Sequence, residues 1–134
     1  MILAVVDDLV FLSKIQQTAK LLGIALESAR PEVLPELAIE LLPKALVIDL
    51  NHRSGKALEV LRALKSDLKT KDLPVIGFVS HVQSTLVNAA RDAGCDFVLA
   101  RSAFVRELPS LLQRFSASQN VGSANNITSI KPLA

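Results

Sequence analysis

The sequence has no tryptophan and no tyrosine, and only five phenylalanines among its 134 residues. Single-stranded nucleic acid is held by bases stacking on aromatic faces, so this scarcity argues against such a platform. Charge of one sign is missing too. Fifteen Lys and Arg against thirteen Asp and Glu give a net +2, too little for a nucleic-acid footprint. There is one cysteine, Cys95, which excludes an intrachain disulfide and any multi-cysteine metal site. Its simplest role is that of a small buried hydrophobe. No apolar run approaches the ~18–20 residues a membrane helix needs. The start, Met-Ile-Leu-Ala-Val-Val-Asp-Asp, lacks a basic flank and soon meets acid, unlike a secretory signal. The expectation is a reduced, cytoplasmic domain with no nucleic-acid or membrane partner. What is abundant is aliphatic: half the residues are hydrophobic and 21% are charged, which rules out disorder along most of the chain. The core must be Leu, Val, Ile and Ala.

Five short apolar runs recur along the chain: Ile2–Val6, Ile24–Leu26, Ala45–Ile48, Val75–Val79 and Phe97–Ala100. Runs with little polar alternation suit strands buried on both faces, as in a parallel sheet. Between them lie helical periods. Leu9, Leu12, Ile15, Ala19 and Leu22 mark the first, stopped by Gly23. Leu34, Leu37 and Leu41 mark the second, ended by Pro43; Leu58, Leu61, Leu64 and Leu68 the third. Val82, Leu86, Ala89 and Ala93 mark the fourth, and Val105, Leu108, Leu112 and Phe115 the fifth. Pro109 lies inside the fifth and should weaken or kink it. Five β-α units in series predict a three-layer sandwich with helices on both faces of a parallel sheet. The domain is expected over 1–115. Residues 116–134 are rich in Ser and Asn and read as a tail. A disordered end is the plain reading. Its apolar residues Val121, Ile127, Ile130 and Leu133 could instead dock on the body or on a second copy, giving a homodimer.

In an open parallel sheet, ligands bind beyond the carboxyl ends of the strands. Asp7 and Asp8 follow the first strand, Asp49 closes the third, Val79-Ser80-His81 ends the fourth and Arg101-Ser102 the fifth. If the first and third strands are neighbours, three carboxylates meet. They must then share protons or bind a cation, and carboxylates with water are the usual Mg²⁺ arrangement. The plainer alternative is that Asp7 and Asp8 cap the first helix. His52 and His81 with an Asp could form a transition-metal site, though nothing in the spacing demands it.

With Val5-Val6-Asp7-Asp8, Val47-Ile48-Asp49-Leu50-Asn51, Leu73-Pro74-Val75-Ile76 and Ala93-Gly94-Cys95-Asp96 in this order, residues 2–115 resemble the receiver domain of bacterial two-component response regulators. The single-domain chemotaxis-type regulator is the simplest member of that family. The resemblance implies a flavodoxin-like (βα)5 fold with strand order 2-1-3-4-5. It also implies a phosphoryl switch. Asp49 would accept a phosphoryl group from a histidine kinase. Asp7, Asp8, Asp49 and the backbone carbonyl of Asn51 would hold Mg²⁺. A hydroxyl after the fourth strand and a cation after the fifth would bind the new oxygens. Output would be protein binding through the fourth helix, fifth strand and fifth helix. The chain is too short for a separate output domain, and no enzymatic turnover is expected.

Three positions depart from the family pattern. The lysine expected after the fifth strand is Arg101, seven residues on from Gly94; arginine keeps the charge but not the compact ammonium. Gap-free counting puts Val79 at the switch-hydroxyl position, and only a one-residue shift brings Ser80 there. Ser80 could equally cap the fourth helix. The loop after Asp49 reaches Gly55 in six residues, two fewer than usual, with His52 and Arg53 in place of an apolar-proline pair. Arg53 could be a solvated loop charge or could occupy the cation's place. The position usually aromatic in the fifth strand is Val98, with Phe97 beside it. The competing expectations are therefore a phosphorylated receiver and a pseudo-receiver or scaffold that binds partners constitutively. A small nucleotide-binding α/β enzyme is the third. It lacks its phosphate loop, since Asp7-Asp8-Leu9-Val10-Phe11 has no glycine and is acidic.

Overall fold

The computed structural model describes residues 1–80 and 83–116. His81, Val82 and the tail anchors Val121, Ile127, Ile130 and Leu133 lie outside the described residues. The chain runs β1 (Ile2–Val5), α1 (Leu9–Leu21), β2 (Leu26–Ser28), a 3-10 turn (Pro31–Val33), α2 (Leu34–Leu41), β3 (Ala45–Asp49), α3 (Ala57–Ser66), β4 (Val75–Val79), α4 (Ser84–Asp92), β5 (Phe97–Ala100) and α5 (Arg101–Ser116). The five strands are all parallel, in the order β2-β1-β3-β4-β5. This is the three-layer, flavodoxin-like (βα)5 sandwich.

Strand residues alternate between two cores, as the pleat requires. Ile2, Ala4, Ala45, Val47, Ile76 and Phe78 face α1 and α5. Leu3, Val5, Leu46, Ile48, Val75 and Val79 face α2, α3 and α4. All five phenylalanines fall on the α1/α5 side. Phe78 stacks on Phe104 at 4.9 Å and meets the edge of Phe11 at 5.1 Å, while Phe97 meets Phe115 at 5.6 Å. Such pairs add ~0.5–1.5 kcal/mol each beyond their burial. Three of the five thus meet where α1 and α5 approach β4, and the other two where α5 covers β5.

Several expected boundaries move. β2 begins at Leu26, not Ile24. Gly23 takes a left-handed φ of 71°, and the Ile24 N–H turns back to the Ala19 carbonyl at 2.9 Å. Ile24 therefore finishes α1, and the ladder to β1 starts with the Ile2 N–H on the Ala25 carbonyl at 2.9 Å. α3 stops at Ser66, before Leu68. Thr70 Oγ1 donates to the Leu64 carbonyl at 2.6 Å and Asp67 Oδ1 accepts the Lys69 N–H at 2.8 Å. The chain turns away there and leaves Leu68 82% exposed. In α4 the residue that reaches the core is Ala90, not Ala89. α5 runs through Pro109 to Ser116, its buried Leu108, Leu111, Leu112 and Phe115 lying on both sides of the proline. α2 ends with Leu42 at φ 45°, just before Pro43, where a helical conformation is disfavoured.

Candidate functional site

β1 and β3 are neighbours, with Val5 opposite Ile48, so Asp7, Asp8 and Asp49 do gather at one end of the sheet. Each carboxylate is nevertheless engaged by the chain itself. Asp49 is 5% exposed. Its Oδ2 accepts the Asp7 N–H at 3.2 Å and its Oδ1 accepts the Asn51 N–H at 3.0 Å. The buried carboxylate thus ties together the exits of β1 and β3. Asp8 is the N-cap of α1: its Oδ1 accepts the N–H groups of Val10 at 2.9 Å and Phe11 at 3.1 Å. The capping alternative therefore holds for Asp8, where the helix leaves unpaired donors. It does not hold for Asp7.

Two arginines complete the arrangement. Arg53 Nε lies 3.0 Å from Asp7 Oδ1 and donates to Oδ2 at 3.1 Å, and the Arg53 N–H approaches the same oxygen at 3.3 Å. Arg101, the first residue of α5, donates from Nη2 to Asp8 Oδ2 at 3.1 Å. Its guanidinium carbon stands 3.9 Å above the Phe11 ring. Partial burial pushes the Asp7 carboxyl up, but the hydrogen bonds and charge of Arg53 outweigh it and hold it below its ordinary value. The Phe11 N–H first, and Arg101 next, hold Asp8 low. The two ion pairs differ in how firmly they are made. The Arg53 side chain is 83% exposed and Arg101 only 35%. An exposed pair is screened and weak, whereas Arg101 is also held by the ring beneath it.

The remaining candidates separate. Val79 is buried in the α2/α3/α4 core and presents no hydrogen-bonding group to the acids. Ser80 does not cap α4; Gln83 occupies that position. The Ser80 N–H instead donates to Asn51 Oδ1 at 2.7 Å. In the β3–α3 loop, His52 Nδ1 meets Ser54 Oγ at 3.0 Å and accepts the Ser54 N–H at 3.1 Å. Gly55 at φ 72° turns the chain there. The His52 and His81 pairing cannot be placed, because His81 is outside the described residues. Among the described residues, no group of three or more His, Cys, Asp and Glu side chains is arranged to hold a metal ion. In this arrangement the residues leave Mg²⁺ no open place: both Asp7 oxygens face Arg53 and Asp8 Oδ2 faces Arg101, Asp8 Oδ1 caps α1, and each Asp49 oxygen already accepts one backbone N–H.

Sequence reasoning singled out the acids and both arginines but missed two features. One is Phe11 as the platform for Arg101, although its place in the first turn of α1 on the sheet side was a signal. The other is the carboxamide of Asn51, which the resemblance valued only for its carbonyl.

Comparison with known proteins bears on the fold. No protein-family model and no curated protein matches the chain. Solved structures do. The chain is similar to chemotaxis response regulator CheY4 of Vibrio cholerae, at TM-score 0.73 and 18% identity over 85% of this chain and 96% of that one. It is similar to the phosphorylated cyanobacterial phytochrome response regulator RcpA, at 0.73 and 17% over 87% and 94%. It is also similar to the Mn²⁺-bound form of response regulator Rcp1, at 0.65 and 19% over 99% and 98%. At these identities the likeness is one of fold. No described helix is long and apolar enough to cross a membrane. With its strand order, its paired acids after β1 and its aspartate closing β3, the chain has the fold of response-regulator receiver domains.

Proposed function

We propose that this protein is a receiver-like module of two-component signalling that works by binding other proteins without needing a phosphoryl group on Asp49. The observation that carries this reading is the pairing of both acids with the chain's own cations, Asp7 with Arg53 and Asp8 with Arg101. Phosphoryl transfer is mostly positioning and charge neutralisation. Here Asp49 is buried with both oxygens accepting backbone N–H groups, which opposes its use as a nucleophile. Arg101, stacked on Phe11, opens α5 from a fixed place. The output surface is that of α4, β5 and α5, the partner is a signalling protein of the cell interior, and the chain has no turnover of its own.

A second reading is favoured by one observation: Arg53 is largely solvent-exposed and so can be displaced. With Arg53 displaced, Asp7, Asp8, Asp49 and the Asn51 carbonyl would be the groups to hold Mg²⁺, which would supply charge neutralisation for transfer from a histidine kinase. Incubation with acetyl phosphate and Mg²⁺, followed by intact-protein mass spectrometry, separates the two. The first reading expects an unmodified protein. A phosphoryl adduct that disappears in Asp49→Ala would overturn it in favour of the second.

A further inference from the structure

The last backbone bond between β3 and β4 is the Leu50 N–H on the Phe78 carbonyl at 3.0 Å. In a parallel ladder the bonds are evenly spaced, and residues two apart point to the same neighbour. The Ser80 N–H is therefore the next donor facing β3. At that level β3 has already ended, since its last residue is Asp49, and its backbone has turned into the β3–α3 loop. The acceptor is instead a side chain, Asn51 Oδ1, at 2.7 Å across 29 residues. Asn51 is itself held, because its N–H donates to Asp49 Oδ1 at 3.0 Å. Asp49 is held in turn by the Asp7 N–H. A chain of three hydrogen bonds thus runs from the β1 exit, through the buried carboxylate and the carboxamide, to the first residue after β4.

We propose that Asn51 is a built-in latch that fixes the exit of β4 through the Ser80 N–H, with Asp49 serving as the strut that orients it. The contact lies beside Val79, where a switch hydroxyl is absent, so the carboxamide joins the acid site to the α4 side by another route. The inference deepens the phosphorylation-independent reading, since a latch made wholly of the chain's own groups holds Ser80 in one place without a modification. Asn51 is a positioning residue here and touches no substrate.

Amide hydrogen exchange followed residue by residue by NMR tests it. In Asn51→Ala the Ser80 amide should exchange about ten-fold faster, the loss expected when a protected N–H loses its acceptor. Asn51→Asp keeps an acceptor at the same reach and should restore the slow exchange. The Val10 and Phe11 amides, held by Asp8, serve as controls and should not change in either variant. If Asn51→Ala fails to fold, Asp49→Asn carries the test: its amide NH2 can no longer accept from both the Asp7 and Asn51 N–H groups, and Ser80 should again exchange faster. An unchanged Ser80 amide in the folded variant used, or equal acceleration of the control amides, would overturn the latch. The acetyl phosphate experiment is scored separately: an adduct on wild-type Asp49 would sink the functional reading and leave the Ser80 result to stand or fall alone.

Discussion

Gly77 sits in the middle of β4, paired with Ile48 of β3 on one side and Val98 of β5 on the other. A methyl group there would lie 2.8 Å from Leu50 Cδ1, 3.1 Å from Leu50 Cγ and 3.0 Å from Cys95 Sγ. Both neighbours are buried, and they close on the added carbon from two residues at once. Gly77 is not among the glycines with positive φ, so Gly77→Ala meets no backbone strain and gains ~0.5–1 kcal/mol from the lost flexibility of the unfolded chain. Against this stands overpacking of a closed core, ~1–3 kcal/mol. The net expectation is a loss of about 1–2 kcal/mol. The argument is tested by a double-mutant cycle in urea. Leu50→Ala alone should cost about 2–5 kcal/mol as a buried leucine truncation. In that background, however, the space that Leu50 vacates should accept the new methyl, and Gly77→Ala should become nearly neutral. The coupling energy should therefore be about 1–2 kcal/mol and favourable, as for residues in direct contact. Because Leu50 lies between Asp49 and Asn51, the single variant should also shift the amide resonances of both. A neutral Gly77→Ala, or strictly additive costs, would refute the reasoning.

Four further perturbations follow from contacts outside the acid site and within it. Lys65 Nζ donates to the Lys71 and Leu73 carbonyls at 3.1 and 3.0 Å and to Asp96 Oδ2 at 3.0 Å, so Lys65→Met removes three hydrogen bonds, leaves Asp96 with only the Val75 N–H, and should lower stability by about 1–3 kcal/mol; an unchanged urea midpoint would contradict this. The Asp7 and Asp8 carboxyls are held below 3.8 in the fold, so the stability they add is complete above that pH and is lost as pH falls through their lowered values. Asp8→Ala should flatten the acid limb of a stability–pH profile measured between about pH 2 and 6, and an identical limb would count against the pairing. Burial first, and the charge of Asp96 next, push the Cys95 thiol up to about 11, so at neutral pH a thiol reagent should label the native protein only as fast as it opens; rapid stoichiometric labelling would refute that. Arg53→Gln leaves Asp7 without its cation, so calorimetry should find Mg²⁺ binding several-fold tighter than in the wild type; equal binding would mean that Arg53 does not compete for the site.

The sequence made legible what depends on neighbours along the chain. β1, β3, β4 and β5 are short runs of Val, Ile, Leu and Phe because both of their faces are covered, the edge strand β5 included, and those runs place them within a residue. β2 is not legible because two of its three residues, Glu27 and Ser28, are exposed, so the apolar signal falls on Ile24, which lies in the turn that closes on α1. The third helix was overextended for a related reason. Leu68 keeps the helical spacing, but two side-chain caps at Asp67 and Thr70 end the helix before it, and a spacing count cannot weigh a cap against a leucine. At the site, the acids could be found because strand ends are where an open sheet leaves groups unpaired. Their partners could not be assigned. Arg53 and Arg101 read as charges of undecided use until the fold brings them 46 and 93 residues back along the chain to Asp7 and Asp8. The same holds for the Asn51 bond to Ser80, which exists only because β3 stops one ladder position short of β4. The two arginines also explain why this end of the sheet tolerates three carboxylates: only one negative charge remains uncompensated, and the carboxylate left without an ion pair, Asp49, is the one that two backbone N–H groups stabilise. Like charges this close need either a bound cation or built-in ones, and the chain supplies its own. The acids at this end of the fold are thus surrounded by two guanidinium groups and one carboxamide of the chain's own.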